Sequence, residues 1–491
     1  MKLEFFGHDE RYTVEQSLLN LFPGELPVYE PIGPGDGTWA RVACREEDGE
    51  RLLVTVDLSL QGRGNSAFHT AVLSGTDYER EGQRRYAVAA CFYLAAREFL
   101  ATEPPWGMLT GVRPDKLVTA ALEAGRTPEE ARRMLEEEYF VSGPRAALAA
   151  ETGAAAHQAA GELGPGDIAL YVGIPFCPTR CAYCSFVSQS VERSFSLVEP
   201  YAEALIGELR AGGEMVRRTG LRVRAFYMGG GTPTTLTADQ LDRVLTAFEE
   251  SFDTLPCGEI TVEAGRPDTI TAEKLAVLKS HGVTRLSVNP QTMEDRVLEA
   301  IGRHHTAEDI RRAMELTAAY GFDHVNMDLI AGLPEDTAGG FRRSLEACLA
   351  FGTDNVTVHT LALKKGSRIL TEGLAVPGPE AVGEMLEGAG PALRQAGFAP
   401  YYLYRQKYMS GSFENVGWSR PGGECLYNIY IMSELCSILS FGAGGSTKMV
   451  DRGANRIQRV FNPKYPAEYL RRPEKWRANQ AAFAAFYAEK S

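Results

Sequence analysis

The sequence predicts an α/β protein: a partial, TIM-like (β/α)6 barrel with an N-terminal α+β domain before it and a C-terminal α+β extension after it. Two observations carry that prediction. From Ile168 onward, apolar runs of strand length alternate with amphipathic stretches of helical period, and such alternation implies a parallel sheet with right-handed crossovers. Six of these units occur, fewer than the eight of a full barrel. An open doubly wound sheet produces the same alternation, so periodicity alone leaves both architectures standing.

The elements follow in order. Residues 1–160 hold strand-like segments at 3–6, 39–44 and 52–58 around a helical 14–22, then helical patterns at 84–100, 114–124, 127–139 and 144–160. Pro114 and Pro128 fall where the first turn of a helix tolerates proline. No chemistry is legible in this first domain. Gly161-Glu-Leu-Gly-Pro-Gly-Asp167 reads as a linker. A barrel domain is expected over 168–365, with strands at 169–174, 225–228, 259–263, 285–288, 325–330 and 355–360. Helices such as 200–219, 238–251, 272–281 and 307–320 lie between them. The remainder, 366–491, mixes short strands with glycine-rich turns and a helix near 479–487, and is expected to cover the substrate side.

Composition narrows the function. A chain of 491 residues buries a large core without disulfide staples. Its 51 Lys and Arg against 64 Asp and Glu give a net charge of −13. That excess of acid excludes a broad nucleic-acid or anionic-membrane surface, both of which need positive charge. Charged residues interrupt the first apolar stretch at once, so no signal peptide is expected. The longest apolar run, 86–96, is too short to span a bilayer. The nine cysteines, an odd number, fit a reducing compartment, and a cytoplasmic location is expected.

Three of those cysteines stand together after the first barrel strand, in Tyr171-Val-Gly-Ile-Pro-Phe-Cys177-Pro-Thr-Arg-Cys181-Ala-Tyr-Cys184. Soft thiolates select zinc, copper(I) or iron–sulfur clusters. Structural zinc takes four ligands and usually pairs two C-x2-C clips, whereas no further cysteine follows here for seventy residues. Three thiolates on a cubane cluster leave one iron open to another ligand. A zinc site completed by a distant histidine, and three packed cysteines, are the alternatives. The other six, Cys44, Cys91, Cys257, Cys348, Cys425 and Cys436, are dispersed and expected to pack as small apolar side chains.

Later strands end in polar groups. Met228-Gly-Gly-Gly-Thr-Pro-Thr234 follows the second, and its glycines allow close backbone approach while their amides could receive a carboxylate. A tight strand-to-helix turn is the plainer reading, and the pattern is not a dinucleotide fingerprint. Thr261-Val-Glu263, Ser287-Val-Asn-Pro-Gln291 and Asn326-Met-Asp328 place polar side chains in buried parallel strands, which is costly without partners. Singly, each reads as a satisfied core group; at three successive strand ends they point to a ligand on that face.

C-x3-C-x-Tyr-C after a barrel strand resembles the radical S-adenosylmethionine superfamily. The resemblance implies a [4Fe-4S] cluster held by Cys177, Cys181 and Cys184 as metal ligands and catalytic centre. S-adenosylmethionine then chelates the open iron, and its reductive cleavage releases a 5′-deoxyadenosyl radical. It also implies cofactor contacts from Tyr171, Tyr183, Gly230, Gly231, Thr232, Glu263, Gln291, Arg303, Asp328 and Ala362. Gly230 and its neighbours would meet the methionine end, and Arg303 the cofactor carboxylate. Tyr-Val-x-Ile-Pro-Phe-Cys, Met-Gly-Gly-Gly-Thr-Pro-Thr and Met-Asp-Leu-Ile-Ala-Gly-Leu-Pro334 resemble the oxygen-independent coproporphyrinogen III oxidase group and its heme-chaperone relatives over roughly 168–450. Leu109-Thr-Gly-Val-Arg-Pro-Asp-Lys116, Glu414-Asn-Val-Gly-Trp418 and Tyr427-Asn-Ile429 resemble its coproporphyrinogen dehydrogenase type.

The chain departs from the ordinary oxidase at Phe186, where that enzyme has a further cysteine, and at Gly173, where it has histidine. Heme chaperones carry H-N-x-x-Y-W where this chain has Tyr427, Asn428, Ile431 and Met432. The resemblance implies oxidative decarboxylation of coproporphyrinogen III propionates to give protoporphyrinogen IX, with a low-potential electron donor. Heme delivery, another radical reaction on a tetrapyrrole, and a structural iron–sulfur protein are the alternatives. A tetra-acid substrate calls for local cations, with Lys364, Lys365, Arg368, Arg405, Lys407 and Lys448 as candidates. His304-His305 is either a proton donor or a surface pair. A monomer, free of nucleic acid and membrane span, is expected.

Overall fold

The computed structural model describes residues 1–184, 189–364, 366–406 and 409–488. Two compact units emerge: Met1–Pro114 with Arg126–Ala150, and Asp115–Gly125 with Glu151–Ser491. The first is built on one mixed sheet, β1 (Lys2–Phe6), β2 (Trp39–Glu47), β3 (Arg51–Leu60) and β4 (Arg63–Val72), in that order. β1 runs parallel to β2 after the helix Arg11–Leu21, while β2, β3 and β4 are antiparallel. The last hairpin turns on Gln61 and Gly62, both at positive φ, a two-residue geometry whose twist matches its strands. The helix Asp77–Ala96 opens with a capping box from Thr76 and Glu79 and buries Val88, Cys91 and Phe92 in one core with Val54 and Val56.

The second unit is organised by a single eleven-stranded sheet. β5 (Asp167–Ile174) leads into a short parallel pair, β6 (Phe176–Cys177) and β7 (Gln189–Ser190). There follow β8 (Arg222–Gly230), β9 (Glu259–Gly265), β10 (Arg285–Val288), β11 (His324–Ala331) and β12 (Asn355–Thr360). With β5 these lie side by side and parallel in chain order, the arrangement that right-handed crossovers impose. The crossover helices Ala238–Ser251 and Ala307–Tyr320 begin at capping boxes on Thr237 and Thr306, and the second stops at the left-handed Gly321.

C-terminal strands extend both flanks of that series. β13 (Ala399–Arg405) and β14 (Glu414–Ser419) add antiparallel to β12. On the other side β15 (Ser437–Phe441) pairs parallel to β5, followed by antiparallel β16 (Ser446–Asp451) and β17 (Arg456–Phe461). The parallel core therefore has seven strands, and the sheet ends on β13 and β17 without closing on itself among the described residues. A partial barrel is likewise unclosed, so this parallel series agrees with the predicted one, and no closed barrel forms among the described residues. No described helix is long and apolar enough to cross a membrane.

The helix Leu426–Ser433 is pinned at both ends. The Glu259 carboxylate accepts from the Cys425 thiol at 3.1 Å and from the amides of Leu426 at 2.9 Å and Tyr427 at 3.3 Å, groups a helix start otherwise leaves unpaired. At the far end, Ser433 Oγ donates to Asp115 at 2.8 Å, and Lys116 pairs with Glu434 at 2.7 Å. Asp115 and Lys116 close the Leu109–Lys116 phrase, so that part of it fastens this helix.

Candidate active site

The cysteine loop is fixed by its backbone. Ala182 N donates to Ile301 O at 2.9 Å, Cys184 N to Cys181 O at 3.1 Å, and Ile369 N to Ala182 O at 3.2 Å. Arg266, fully buried and paired with Asp268, donates to the Thr179 hydroxyl at 2.6 Å. Cys181 is buried, Cys177 and Cys184 are half-buried, and none is in a disulfide. Among the described residues no three His, Cys, Asp or Glu side chains converge as ligands of one metal ion. A cubane cluster asks something different of the three thiols, since each binds its own iron.

The glycine-rich element packs directly under this loop. Gly230 sits at φ 109°, and a Cβ on Gly231 would stand 2.5 Å from Phe176 O and 2.8 Å from Ile174 O. The amides of Gly231 and Thr232 donate to those same two carbonyls, both at 2.7 Å. Both amides are therefore engaged by β5 and β6 rather than presented to a ligand's carboxylate, which corrects the sequence expectation for the Gly231 amide. Thr232 turns its hydroxyl to Cys177 Sγ at 3.5 Å.

The polar strand ends form a connected layer. Tyr227 donates its hydroxyl hydrogen to Glu263, whose carboxyl burial pushes up to about 7. Asn326 Nδ2 donates to Asp328 Oδ1 and to Ser287 Oγ, both at 2.8 Å. Asp328, in spite of burial, is held below the usual carboxylate range by His359 and Asn326. Gln291, at φ 68°, is tied through its backbone to Asp328 and Ile330, and its side-chain Oε1 is buried without a partner. Tyr171 and Tyr427 stack against Tyr227 at ring separations of 6.3 and 4.5 Å, walling the same interior.

Buried Arg303 and half-buried Tyr183 form a pair beside Cys181. Arg303 donates to Asn289 O at 2.5 Å, Pro290 O at 3.4 Å and the Tyr183 hydroxyl at 3.2 Å, leaving its buried Nε without a partner. Ala362, half-buried, bridges to Met409 just beyond β12. The two histidines separate. His304 is exposed on an open cleft of roughly 750 Å³, while burial, with Arg303 and Arg266 nearby, pushes His305 down to about 3, so it stays neutral.

The expected ring of cations is only partly present. Lys448 is buried, pairs with Glu434 at 3.3 Å and donates to Ile431 O at 3.1 Å. Arg405 is buried and donates to Ser412 O at 3.1 Å, and Arg368 pairs with Glu372 at 2.7 Å. These three already have partners, so their proposed substrate role is corrected. Half-buried Lys364 lies near Cys184, whereas Lys365, Lys407 and Phe186 lie outside the described residues. The sequence reading missed His359 and Tyr404, which face Asp328 from β12 and β13.

The residues present fit a cluster with a polar ligand beside it. Three thiols share one braced loop, and the unpartnered Gln291 Oε1 and Arg303 Nε are buried polar atoms awaiting partners at the strand ends.

Comparisons with known proteins agree with that chemistry. Residues 171–348 match the radical SAM superfamily. The oxygen-independent coproporphyrinogen-III oxidase-like protein HemZ of Bacillus subtilis is 35% identical over 482 residues, covering 96% of this chain and 95% of that one. The heme chaperone HemW of Synechocystis is 31% identical over 317 residues, 63% of this chain and 71% of its own. Among solved structures, coproporphyrinogen III oxidase (HemN) from Escherichia coli, a radical SAM enzyme, shares the fold at TM-score 0.52 and 23% identity, covering 66% of this chain and 72% of that one. The chain therefore belongs to the radical S-adenosylmethionine superfamily, in its coproporphyrinogen-III oxidase-like group, and its cofactors are a [4Fe-4S] cluster and S-adenosylmethionine.

Proposed function

We propose that this chain oxidatively decarboxylates two propionate side chains of coproporphyrinogen III, giving protoporphyrinogen IX without oxygen, each event releasing carbon dioxide and passing one electron from the substrate radical to an electron acceptor. In this reading Cys177, Cys181 and Cys184 hold the cluster, and Tyr171, Tyr183, Gly230, Gly231, Thr232, Glu263, Gln291, Arg303, Asp328 and Ala362 line the cofactor. When bound, cluster and cofactor supply one-electron chemistry able to take a hydrogen atom from a propionate β-carbon. The protein's part is positional. The braced loop fixes the thiols, the glycines bring β8 against β5 and β6, and the Tyr227–Glu263 and Asn326–Asp328 pairs orient acceptors at the strand ends. The stacked Tyr171, Tyr227 and Tyr427 exclude water from below.

One observation favours this reading over heme delivery. The positions aligned with the chaperones' histidine and aromatic pair lie on the pinned helix Leu426–Ser433. There Tyr427 is 4% exposed and stacked against Tyr227, and no imidazole is offered to a heme iron. The near-full-length likeness to the oxidase-like relative supports the same choice.

The test is anaerobic incubation of the reconstituted protein with reductant, S-adenosylmethionine and coproporphyrinogen III. Carbon dioxide and 5′-deoxyadenosine should appear together. Cofactor cleavage with an unchanged porphyrinogen would refute the reaction, and tight one-to-one heme binding would favour the chaperone reading.

A further inference from the structure

An anionic tetrapyrrole has to be received at the polar strand ends, yet the charged groups there include two carboxyls, Glu263 and Asp328. Three of the expected cations are tied to other partners. β5 offers no imidazole either. Its candidate position is Gly173, where a Cβ would already stand 3.3 Å from Ala443 O.

An imidazole does reach this layer from β12. His359 shares a face with Thr357, which is in register with Asp328, and its Nε2 lies 3.6 Å from Asp328 Oδ2. Its Nδ1 lies 3.5 Å from the hydroxyl of Tyr404 on β13. The His359 and Asp328 side chains remain 25% and 18% exposed, and Tyr404 is half-buried, so the trio meets solvent.

We propose that Nδ1 of His359 and the hydroxyl of Tyr404 form a two-donor clamp for one carboxylate of an anionic tetrapyrrole, with Asp328 holding Nε2. Both nitrogens of a doubly protonated imidazole donate, so with Nε2 on Asp328 the Nδ1 hydrogen is directed at the incoming carboxylate. A partner on one ring nitrogen also sets what the other presents. Two donors side by side suit the two oxygens of a carboxylate, and a charged donor makes that bond about twice as strong as a neutral one. Contacts of 3.5 and 3.6 Å are too long for full hydrogen bonds and leave room for the incoming acceptor. The charged and titratable groups facing His359 are Asp328 on β11, Tyr404 on β13 and Glu263 on β9.

The clamp takes its substrate class from the proposed decarboxylation but does not depend on turnover. The test uses the cluster-loaded full chain with S-adenosylmethionine and compares binding of coproporphyrin III with that of its uncharged tetramethyl ester in the same detergent. His359→Gln should weaken the free acid about tenfold, the loss of roughly one charge-assisted hydrogen bond, and leave the ester unchanged. Tyr404→Phe should act in the same direction but less, and His359→Arg should recover part of the loss. Iron content should stay at parental levels in all three. Equal binding of the free acid by His359→Gln and parent would overturn the clamp, as would a parallel loss for acid and ester. A parent that binds neither compound overturns its ligand class. Acid-selective, His359-dependent binding without carbon dioxide release would leave the clamp standing and remove the decarboxylation.

Discussion

Tyr227 on β8 donates its hydroxyl hydrogen to the carboxylate of Glu263 on β9, and the bond opposes the rise in pKa that burial imposes on that carboxyl. Burial alone favours the neutral acid; the donated hydrogen bond favours the anion. Tyr227→Phe should move the Glu263 carboxyl further above 7. Cofactor binding that needs the anion should then gain strength at a pH about one unit higher, the size expected for one hydrogen bond to a charged group. Equilibrium binding of S-adenosylmethionine between pH 6 and 9 measures this. Superimposable profiles for variant and parent would rule out Glu263 as a contact that acts as the anion.

Cys181 is the most enclosed of the three loop cysteines and lies beside Tyr183 and Arg303. Cys181→Ser should lower iron and sulfide content after anaerobic reconstitution to near background and abolish cofactor cleavage, with little change in thermal unfolding of the apoprotein. Full iron loading in the variant would mean that the ligand set is wrong.

Gly231 is required by contact rather than by φ, since an added methyl would strike two backbone carbonyls that cannot swing aside. Gly231→Ala should cost about 1–3 kcal/mol by overpacking and push β6, with Cys177, away from β8. Lower thermal stability accompanied by poorer cluster loading is the expected pair of results. Unchanged loading at reduced stability would show that the strain is absorbed elsewhere.

Local signals made much of this legible. The helices Ala238–Ser251 and Ala307–Tyr320 start where Thr237 and Thr306 meet Gln240 and Asp309 three residues on, and six of the seven parallel strands were visible as buried apolar runs. β4 was missed because its inward positions are Asn65, Ala67, His69 and Ala71 while Phe68 and Val72 face outward, so its alternation carries no hydrophobic contrast toward the core. β15 was missed because pairing with β5 is long-range, which no local pattern encodes. His359 had a signal that went unused: Thr357 and His359 repeat the two-residue polar spacing of Thr261 with Glu263 and of Asn326 with Asp328. Lys448, Arg405 and Arg368 were misread because their partners are set by tertiary structure or by a neighbouring helix turn, and charge alone does not name a partner.

Glu208, on the helix Val191–Thr219, accepts from Gly442 N, Tyr469 OH and Asn462 Nδ2 at 2.7 to 2.8 Å, and burial still raises its carboxyl to about 7. A carboxyl raised in the folded state binds its proton more tightly there than in the unfolded chain. Its contribution is therefore fully present below about pH 4.5 and is lost as pH rises through about 7. Glu208→Gln fixes the neutral form. Unfolding free energies measured by denaturant titration at pH 5.5 and 8 should lie closer together in the variant than in the parent, by an amount on the order of 3 kcal/mol at most. An undiminished pH dependence would assign it to other groups.

Glu434 gathers three cations around one buried carboxylate: Lys116 at 2.7 Å, Arg459 at 2.9 Å and Lys448 at 3.3 Å. It does so from the left-handed region, at φ 56°, immediately after the helix that carries Tyr427. Removing the carboxylate takes Glu434 from buried Lys448, Lys116 and Arg459 at once, whereas removing Lys448 leaves Glu434 two cations. Glu434→Ala should therefore cost about 3–5 kcal/mol, and Lys448→Met clearly less. If Lys448 serves only this cluster, Lys448→Met should leave coproporphyrin III affinity unchanged, while Glu434→Ala should lower activity with stability as its C-terminal anchor on the helix is lost. A selective loss of porphyrin binding in Lys448→Met, at parental stability, would return that lysine to the substrate site.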